Sequence, residues 1–426
     1  MKRRHNRSVK LTARGRVFTV LAICLGIVAY SSGVYQLLLV ACLLAGLVVI
    51  ALGLARYRSM KLQVGRTFSP SPVAASTETT VTIDASNLAS IRSAPLYWND
   101  TLPWRPLATD AAQLPSLAAM SGRPTSRRTT LRYGLIPPRR GIFGIGPIAV
   151  AYSDPFGIAV GFMSIGGADE LIVTPFVTEL PSSGVWLEAP DGAARLVQAT
   201  GVGNSDDLMT REYRRGDALR RVHWRASARH GQLMVRQEEQ RAYPEATIVF
   251  DTRVAGYRDH YEGAVTVPPT PSYSASFEWG VSMLASLGVH LHRSGFVVHI
   301  TETAAPQVIE LADDEARLGR EEDFLLSLAR IQLRREAGKP AGRDASVAAG
   351  PVFAIISEPD QATIDWLLGL KRPFELGVAF LVGASRAVAA TLGESGWHVI
   401  PVDLHTDPKL AWAVLTEELG ISHGDR

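Results

Sequence analysis

Eight arginines crowd into residues 211–236 of this 426-residue chain against two acidic residues, a local charge of +6. The run reads Arg211-Glu-Tyr213-Arg214-Arg-Gly216-Asp217-Ala-Leu-Arg220-Arg-Val-His223-Trp224-Arg-Ala-Ser227-Ala-Arg229 and continues to Arg236. A guanidinium cannot shed its charge, and its planar fork grips carboxylates and phosphates through two atoms at once. Two local acids cannot serve eight such groups, so the chemistry on offer is anion recognition. Three kinds of partner fit. Residues 237–426 carry 16 Lys/Arg and 27 Asp/Glu, net −11, and could take the block intramolecularly. A protein or anionic ligand is the second. Nucleic acid is the third, with Tyr213 and Trp224 available to stack on bases. The Gly216-Asp217 break suggests a built turn rather than a long basic stripe, so no nucleic acid is expected. Arg214 and Asp217 are the candidates for holding that turn, and Trp224 is the candidate apolar anchor.

Other chemistry-bearing residues are sparse. Asp251 ends a short apolar strand and is followed by Thr252 and Arg253; a later strand leads into Ser357-Glu358-Pro359-Asp360. Asp251 is a weak metal candidate, better read as capping a turn or pairing with an arginine, and neither Mg²⁺ nor any cofactor is expected. His290 and His292 end a helix, where two-residue spacing separates them onto different faces; with His299 they make no ligand set. The chain lacks the Gly-x-x-x-x-Gly-Lys-Ser/Thr loop, the His-Glu-x-x-His helix and the Gly-x-Ser-x-Gly elbow. Asp154-Pro155-Phe156-Gly157 reads as a turn between strands. No catalytic set emerges, and an enzyme is not expected.

The elements that would position these residues begin with an anchor. Residues 17–55 are thirty-nine residues without a charge, broken only by Ser31-Ser32-Gly33. One helix of that length would run about 58 Å at 1.5 Å per residue, twice the ~30 Å apolar core of a bilayer. Two transmembrane helices, near 17–33 and 34–55, fit better, because a helical hairpin satisfies every backbone group inside lipid. A cleaved signal peptide over residues 17–30 is the rival reading. Lys2, Arg3, Arg4, Arg7, Lys10, Arg14 and Arg16 precede the hairpin, and Arg56, Arg58, Lys61 and Arg66 follow it. Basic flanks remain cytoplasmic, so a multi-pass cell-membrane protein with both termini and its soluble domains in the cytoplasm is expected. The remaining residues, 67–426, carry 33 Lys/Arg against 41 Asp/Glu, net −8. The only cysteines, Cys24 and Cys42, lie in the apolar run.

The predicted divisions are a basic N-terminus (1–16), the transmembrane pair (17–55), a β domain (60–178), a linker with the arginine block (179–242) and an α/β domain (243–426). Val81, Ile83 and Ala85 alternate with polar residues, as do Leu131, Tyr133 and Leu135, which argues half-buried strands of an antiparallel, sandwich-like domain. Residues 108–127 read as a surface loop. After residue 243 short apolar strands, at 246–251, 296–300, 352–357, 376–382 and 398–403, alternate with helical patterns. That order predicts a mostly parallel, doubly wound sheet.

The arginine run resembles the signature of the bacterial domain-of-unknown-function family number 58. Tyr133-x-Leu-x-Pro-x-Arg-Arg-Gly141, Gly146-Pro147 and Asp154-Pro-Phe-Gly157 are similar to the segment that precedes it there. The resemblance implies a von Willebrand factor type A-like C-terminal domain, and genes beside MoxR-type AAA+ ATPases and transglutaminase-like membrane proteins. Type A domains hold Mg²⁺ through Asp-x-Ser-x-Ser; here Asp251 matches and both serines are missing. The expected function is a non-enzymatic adaptor or assembly factor at the lipid bilayer, serving a MoxR-type ATPase on an unknown client. The alternatives are a cell-envelope-related enzyme and a nucleic-acid-binding module.

Overall fold

The structure, a computed structural model, describes residues 8–57, 61–93, 96–105, 112–181, 186–188, 194–196, 210–212, 224–236, 245–261, 273–311, 317–335, 350–370, 376–384 and 386–419. They fall into two compact units, residues 1–175 and 176–426.

The first unit opens with a strand, β1 (Ser8–Leu11), and two helices, α1 (Ala13–Ser32) and α2 (Tyr35–Tyr57). The Thr12 side chain accepts a hydrogen bond from the Gly15 N–H and so caps α1. Helix α1 thus begins at Ala13 rather than at residue 17, and residues 8–11, expected as basic tail, are a strand. Ser31 and Ser32 stay helical, their hydroxyls donating to the Val28 carbonyl. The turn falls at Gly33, whose φ of 68° is the left-handed conformation glycine tolerates. Both helices are long and apolar enough to cross a membrane. Apolar side chains such as Leu39 and Val49 face outward, 71% and 68% exposed.

Strands β2 (Leu62–Ser69), β3 (Val73–Ala74), β4 (Thr79–Asn87), β5 (Leu96–Asp100), β6 (Ala112–Leu114) and β7 (Arg128–Leu135) follow. After them come β8 (Gly141–Ile145), β9 (Ile148–Ser153), β10 (Ala159–Ile165) and β11 (Asp169–Thr174). They make sheets of order β1-β10-β9-β5-β6, β2-β4-β7 and β3-β11-β8. Alternate residues of each strand point inward, and Val81 and Ile83 of β4, Val150 of β9 and Leu171 of β11 meet in one core. Ala112–Leu114, expected within a loop, pairs with β5 because Leu114 is drawn into that core.

Two buried polar arrangements hold this unit, and only the turn of the second was expected from sequence. Arg66, counted above with the basic flank, is 1% exposed at its side chain and grips Asp100 through two bonds of 2.8 and 2.7 Å. It also reaches Asp169 at 2.8 Å, and Tyr133 donates to Asp100 at 2.8 Å. Its charge is therefore spent inside the β domain. The turn 154–157 is the second. The Asp154 carboxylate accepts from the N–H groups of Phe156, Ile158 and Ala159 at 2.6 to 2.8 Å. The folded turn then receives the start of α1: Thr12 donates its N–H to Ile158 O at 2.9 Å and its hydroxyl to Gly157 O at 2.6 Å. A Cβ on Gly15 would lie 2.2 Å from Ile158 O, so only glycine permits this approach.

In the second unit β12 (Trp186–Glu188) pairs with β13 (Ala194–Leu196), and β14 (Thr210–Glu212) with β15 (Met234–Arg236), the short helix α3 (Trp224–His230) lying between the latter two in sequence. There follow β16 (Glu245–Phe250), α4 (Ala275–Arg293), β17 (Val297–Glu302), α5 (Arg317–Arg330), β18 (Val352–Ile356) and α6 (Gln361–Leu370). The described chain closes with β19 (Gly377–Val382), α7 (Arg386–Glu394), β20 (His398–Val402) and α8 (Pro408–Glu418). The strands form one parallel sheet of order β17-β16-β18-β19-β20. A parallel strand covered on both faces reads as an unbroken apolar run, and all five residues of β18 are buried. Phe250, Phe353 and Phe380 point toward α4, α5 and α8. Val249, Ala354 and Leu381 point toward α6 and α7. Residues 176–181, expected partly as β domain, lie on this unit: Thr178 N–H donates to Ser286 and Trp412 Nε1 to Pro181 O.

Candidate functional site

The connection leaving β16 runs to one side of the sheet and that leaving β18 to the other, which makes a topological switch point between them. In open α/β sheets ligands bind in the crevice at the carboxyl ends of the strands at such a point. Asp251 follows β16 there, Glu302 and Thr303 stand at the end of β17, and Ser357 follows β18. All four are buried.

Loop 251–257 folds down over this edge instead of leaving it open. Val254 N–H donates to Arg334 O, Arg334 N–H to Thr252 O, and Glu358 N–H to Gly256 O, at 2.7 to 2.9 Å. Tyr257 donates its hydroxyl to Asp251 O at 2.6 Å. Ser357 ties its own hydroxyl to Val382 O across to β19 at 2.8 Å. Glu302 accepts the N–H groups of Gln307 and Val308; burial pushes its carboxyl upward while those bonds pull it down.

The two carboxylates of the edge differ. Asp251 is fully buried, with Oδ1 accepting from the Thr303 hydroxyl at 2.5 Å and from Arg253 N–H at 3.1 Å. Its Oδ2 is buried with no hydrogen-bond donor in reach among the described residues. Burial raises this carboxyl above the ordinary range, against the Thr303 and Arg253 hydrogen bonds and the Arg253 charge. Asp360 stands at the start of α6, where its Oδ1 accepts from Thr363 N–H at 2.9 Å, an N-cap. Burial alone would raise Asp360, but bonds from Thr363 and Arg253 hold it below its ordinary value.

The Arg253 side chain, 4% exposed, lies between them. Its Nε is 3.6 Å from Asp251 Oδ1, its Nη2 is 3.1 Å from Asp360 Oδ1, and it donates to the Thr363 hydroxyl. This charge lies inside the edge and not at its rim. Thr303 and Thr363 were not singled out from sequence, and Asp360 was noted there only as the end of Ser357-Glu358-Pro359-Asp360. The one local signal was Asp360 three positions before Thr363, a helix-start pattern.

The arginine segment lies elsewhere in the same unit. Arg211 is in β14 and Trp224 opens α3, 69% exposed. The Ser227 hydroxyl oxygen accepts from Met234 N–H at 2.8 Å, which folds α3 back on β15. Arg229 is exposed. Tyr213, Arg214, Gly216, Asp217, Arg220 and His223 lie outside the described residues. The histidines are scattered: His290 sits against the Trp412 ring at 5.1 Å, with its pKa lowered by burial, His292 is buried, and His299 faces Glu310 at 3.8 Å. Among the described residues no group of three or more His, Cys, Asp or Glu is placed to hold a metal.

Against this geometry, the family described as "Protein of unknown function DUF58" matches residues 209–257. That stretch runs from β14 through the loop that closes the edge, and the match supports the family. No curated protein matches the chain. Among solved structures, the chain is similar to the CARDB domain of a Pyrococcus furiosus protein in complex with di-metal ions. The identity is 12% over 27% of this chain and 88% of that one, with a TM-score of 0.19. A likeness that small carries no argument.

Proposed function

We propose that this protein is a non-enzymatic adaptor or assembly factor, held at the cell membrane by α1 and α2, that works with a MoxR-type AAA+ ATPase on an unknown client. The observation that carries the reading is the contrast within the family-matched stretch. Its second half closes the edge where an α/β enzyme keeps its substrate crevice. Its first half turns Trp224 and Arg229 to solvent, the residue types enriched at protein-binding hot spots. The choice of ATPase rests on the family resemblance. The von Willebrand factor type A-like reading of the second unit draws support from its five parallel strands, helices on both faces, and an antiparallel bridge from Val298 to Leu311 at the β17 edge.

The anchor reading draws on the outward apolar faces of α1 and α2 and on the tie of both ends to the β domain. The chain before α1 pairs with β10, and the end of α2 is bonded to β9. Two crossings satisfy this and one crossing does not. With Arg66 removed from the flank, Lys10, Arg14, Arg16, Arg56 and Lys61 still favour the cytoplasmic side. Crosslinking in native membranes followed by mass spectrometry tests the proposal. The expected result is an AAA+ ATPase recovered with wild type and lost with Trp224→Ala; recovery of none sinks it.

A further inference from the structure

The carboxyl edge of the parallel sheet has the donor set of a cation site and a cation of the protein's own inside it. Two carboxylates, Asp251 and Asp360, and two hydroxyls, Thr303 and Thr363, come from three separate segments of the chain, Asp360 and Thr363 sharing the start of α6. Hard oxygen donors at this end of a parallel sheet suit a divalent ion such as Mg²⁺. A resident Mg²⁺ does not fit, because the Arg253 guanidinium reaches both carboxylates and the Thr363 hydroxyl. Arginine suits this position because its charge is permanent and its flat fork spans two oxygens.

We propose that Asp251, Asp360, Thr303 and Thr363 form a cation cage whose resident cation is Arg253, so that the guanidinium stands in for a metal and the edge accepts a divalent ion only when Arg253 is removed. Two features beyond the ion pairs support a cage. Asp251 Oδ2 is wholly buried with no hydrogen-bond donor in reach among the described residues, leaving one carboxylate oxygen that the guanidinium does not use. That oxygen is packed against Gly256, where a Cβ would lie 2.1 Å from it, so the cage wall is shaped around the bare carboxylate. A buried carboxylate stripped of its counter-charge is strongly destabilising; an emptied cage therefore creates a demand for another cation.

The inference is independent of the adaptor reading and would survive its failure. The full chain is purified in detergent as wild type, Arg253→Ala, and Arg253→Ala with Asp251→Asn. Melting is followed in chelator, in Mg²⁺ and in Mn²⁺ at matched ionic strength, and bound Mn²⁺ is counted by electron paramagnetic resonance. Wild type should melt at one temperature in all three conditions and bind no Mn²⁺ at the edge. Arg253→Ala should melt lower, regain stability saturably with Mn²⁺ or Mg²⁺, and hold one Mn²⁺. The double variant should recover stability and bind no ion. A wild type that chelator destabilises, or a destabilised Arg253→Ala that takes up no Mn²⁺, overturns the cage. If Arg253→Ala does not fold, recovery of the double variant upholds it and failure of both overturns it.

Discussion

The phenolic hydroxyl of Tyr152, in β9, donates to the backbone carbonyl of Ala55, in the last turn of α2, at 2.6 Å. A carbonyl in the last turn of a helix has no intrahelical donor, and Ala55 is 1% exposed, so this bond is its means of satisfaction. With Thr12 bonded to Gly157 and Ile158, the hairpin formed by β9 and β10 holds both ends of the helical pair. Tyr152→Phe keeps the ring and strands the carbonyl, a loss of about 1–3 kcal/mol. A lowered melting temperature of the detergent-purified protein is expected; an unchanged one would show that Tyr152 only packs there.

Arg66 sets the stability of the β domain. Arg66→Met removes the charge that neutralises Asp100, which is 4% exposed at its side chain, and should cost about 3–5 kcal/mol. Adding Asp100→Asn should return much of that loss, because the uncompensated charge goes with it. Melting of the two variants checks this, and equal losses in both would refute a charge origin.

The two carboxylates of the sheet edge should respond to pH with opposite sign. Asp360 is held below its ordinary value when folded, so its contribution is present above the unfolded value near 3.9 and is lost as pH falls through the folded one. Asp251 is raised, so its contribution is largest in acid and falls as pH rises from about 4 through its raised value. Relative to wild type, Asp360→Asn should be less stable at neutral pH and converge on it in acid. Asp251→Asn should improve relative to wild type as pH rises from acid. Melting from about pH 3 to 8 reads both; parallel profiles would contradict the assignment.

Trp224 and Ser227, three residues apart on α3, should separate binding from folding. Trp224→Ala should leave stability within about 0.5 kcal/mol of wild type, as for an exposed side chain. Ser227→Ala removes the acceptor for Met234 N–H and should cost about 1 kcal/mol. Hydrogen exchange at the Met234 amide, faster in the second variant and unchanged in the first, distinguishes them.

The parallel strands were legible because burial on both faces writes continuous apolar runs such as Val352 to Ile356. The β domain was legible where alternation ran long, as in β4. What stayed hidden is long-range pairing. Arg66 looks like a membrane-flanking charge until Asp100 and Asp169 are brought beside it, and Arg253 looks like a rim charge until Asp360, 107 positions on, folds against it. The Asp154 turn was readable from its own residues, but the helix it receives lies 145 positions upstream. Strand β1 was missed because four residues in a basic stretch carry too little alternation, and its partner strand begins at Ala159.

That last pairing sets an order of events during synthesis. Residues 8–11 leave the ribosome before either apolar helix, yet Ser8 pairs with Phe162 and Leu11 with Ala159. Strand β1 therefore stays unpaired until about 150 further residues have emerged, well after both apolar helices. Closing β1 onto β10 is then a late step that secures a hairpin already in place. A bulky fusion ahead of Ser8 would act on that step, slowing closure of the β domain while leaving the pairing of α1 with α2 untouched.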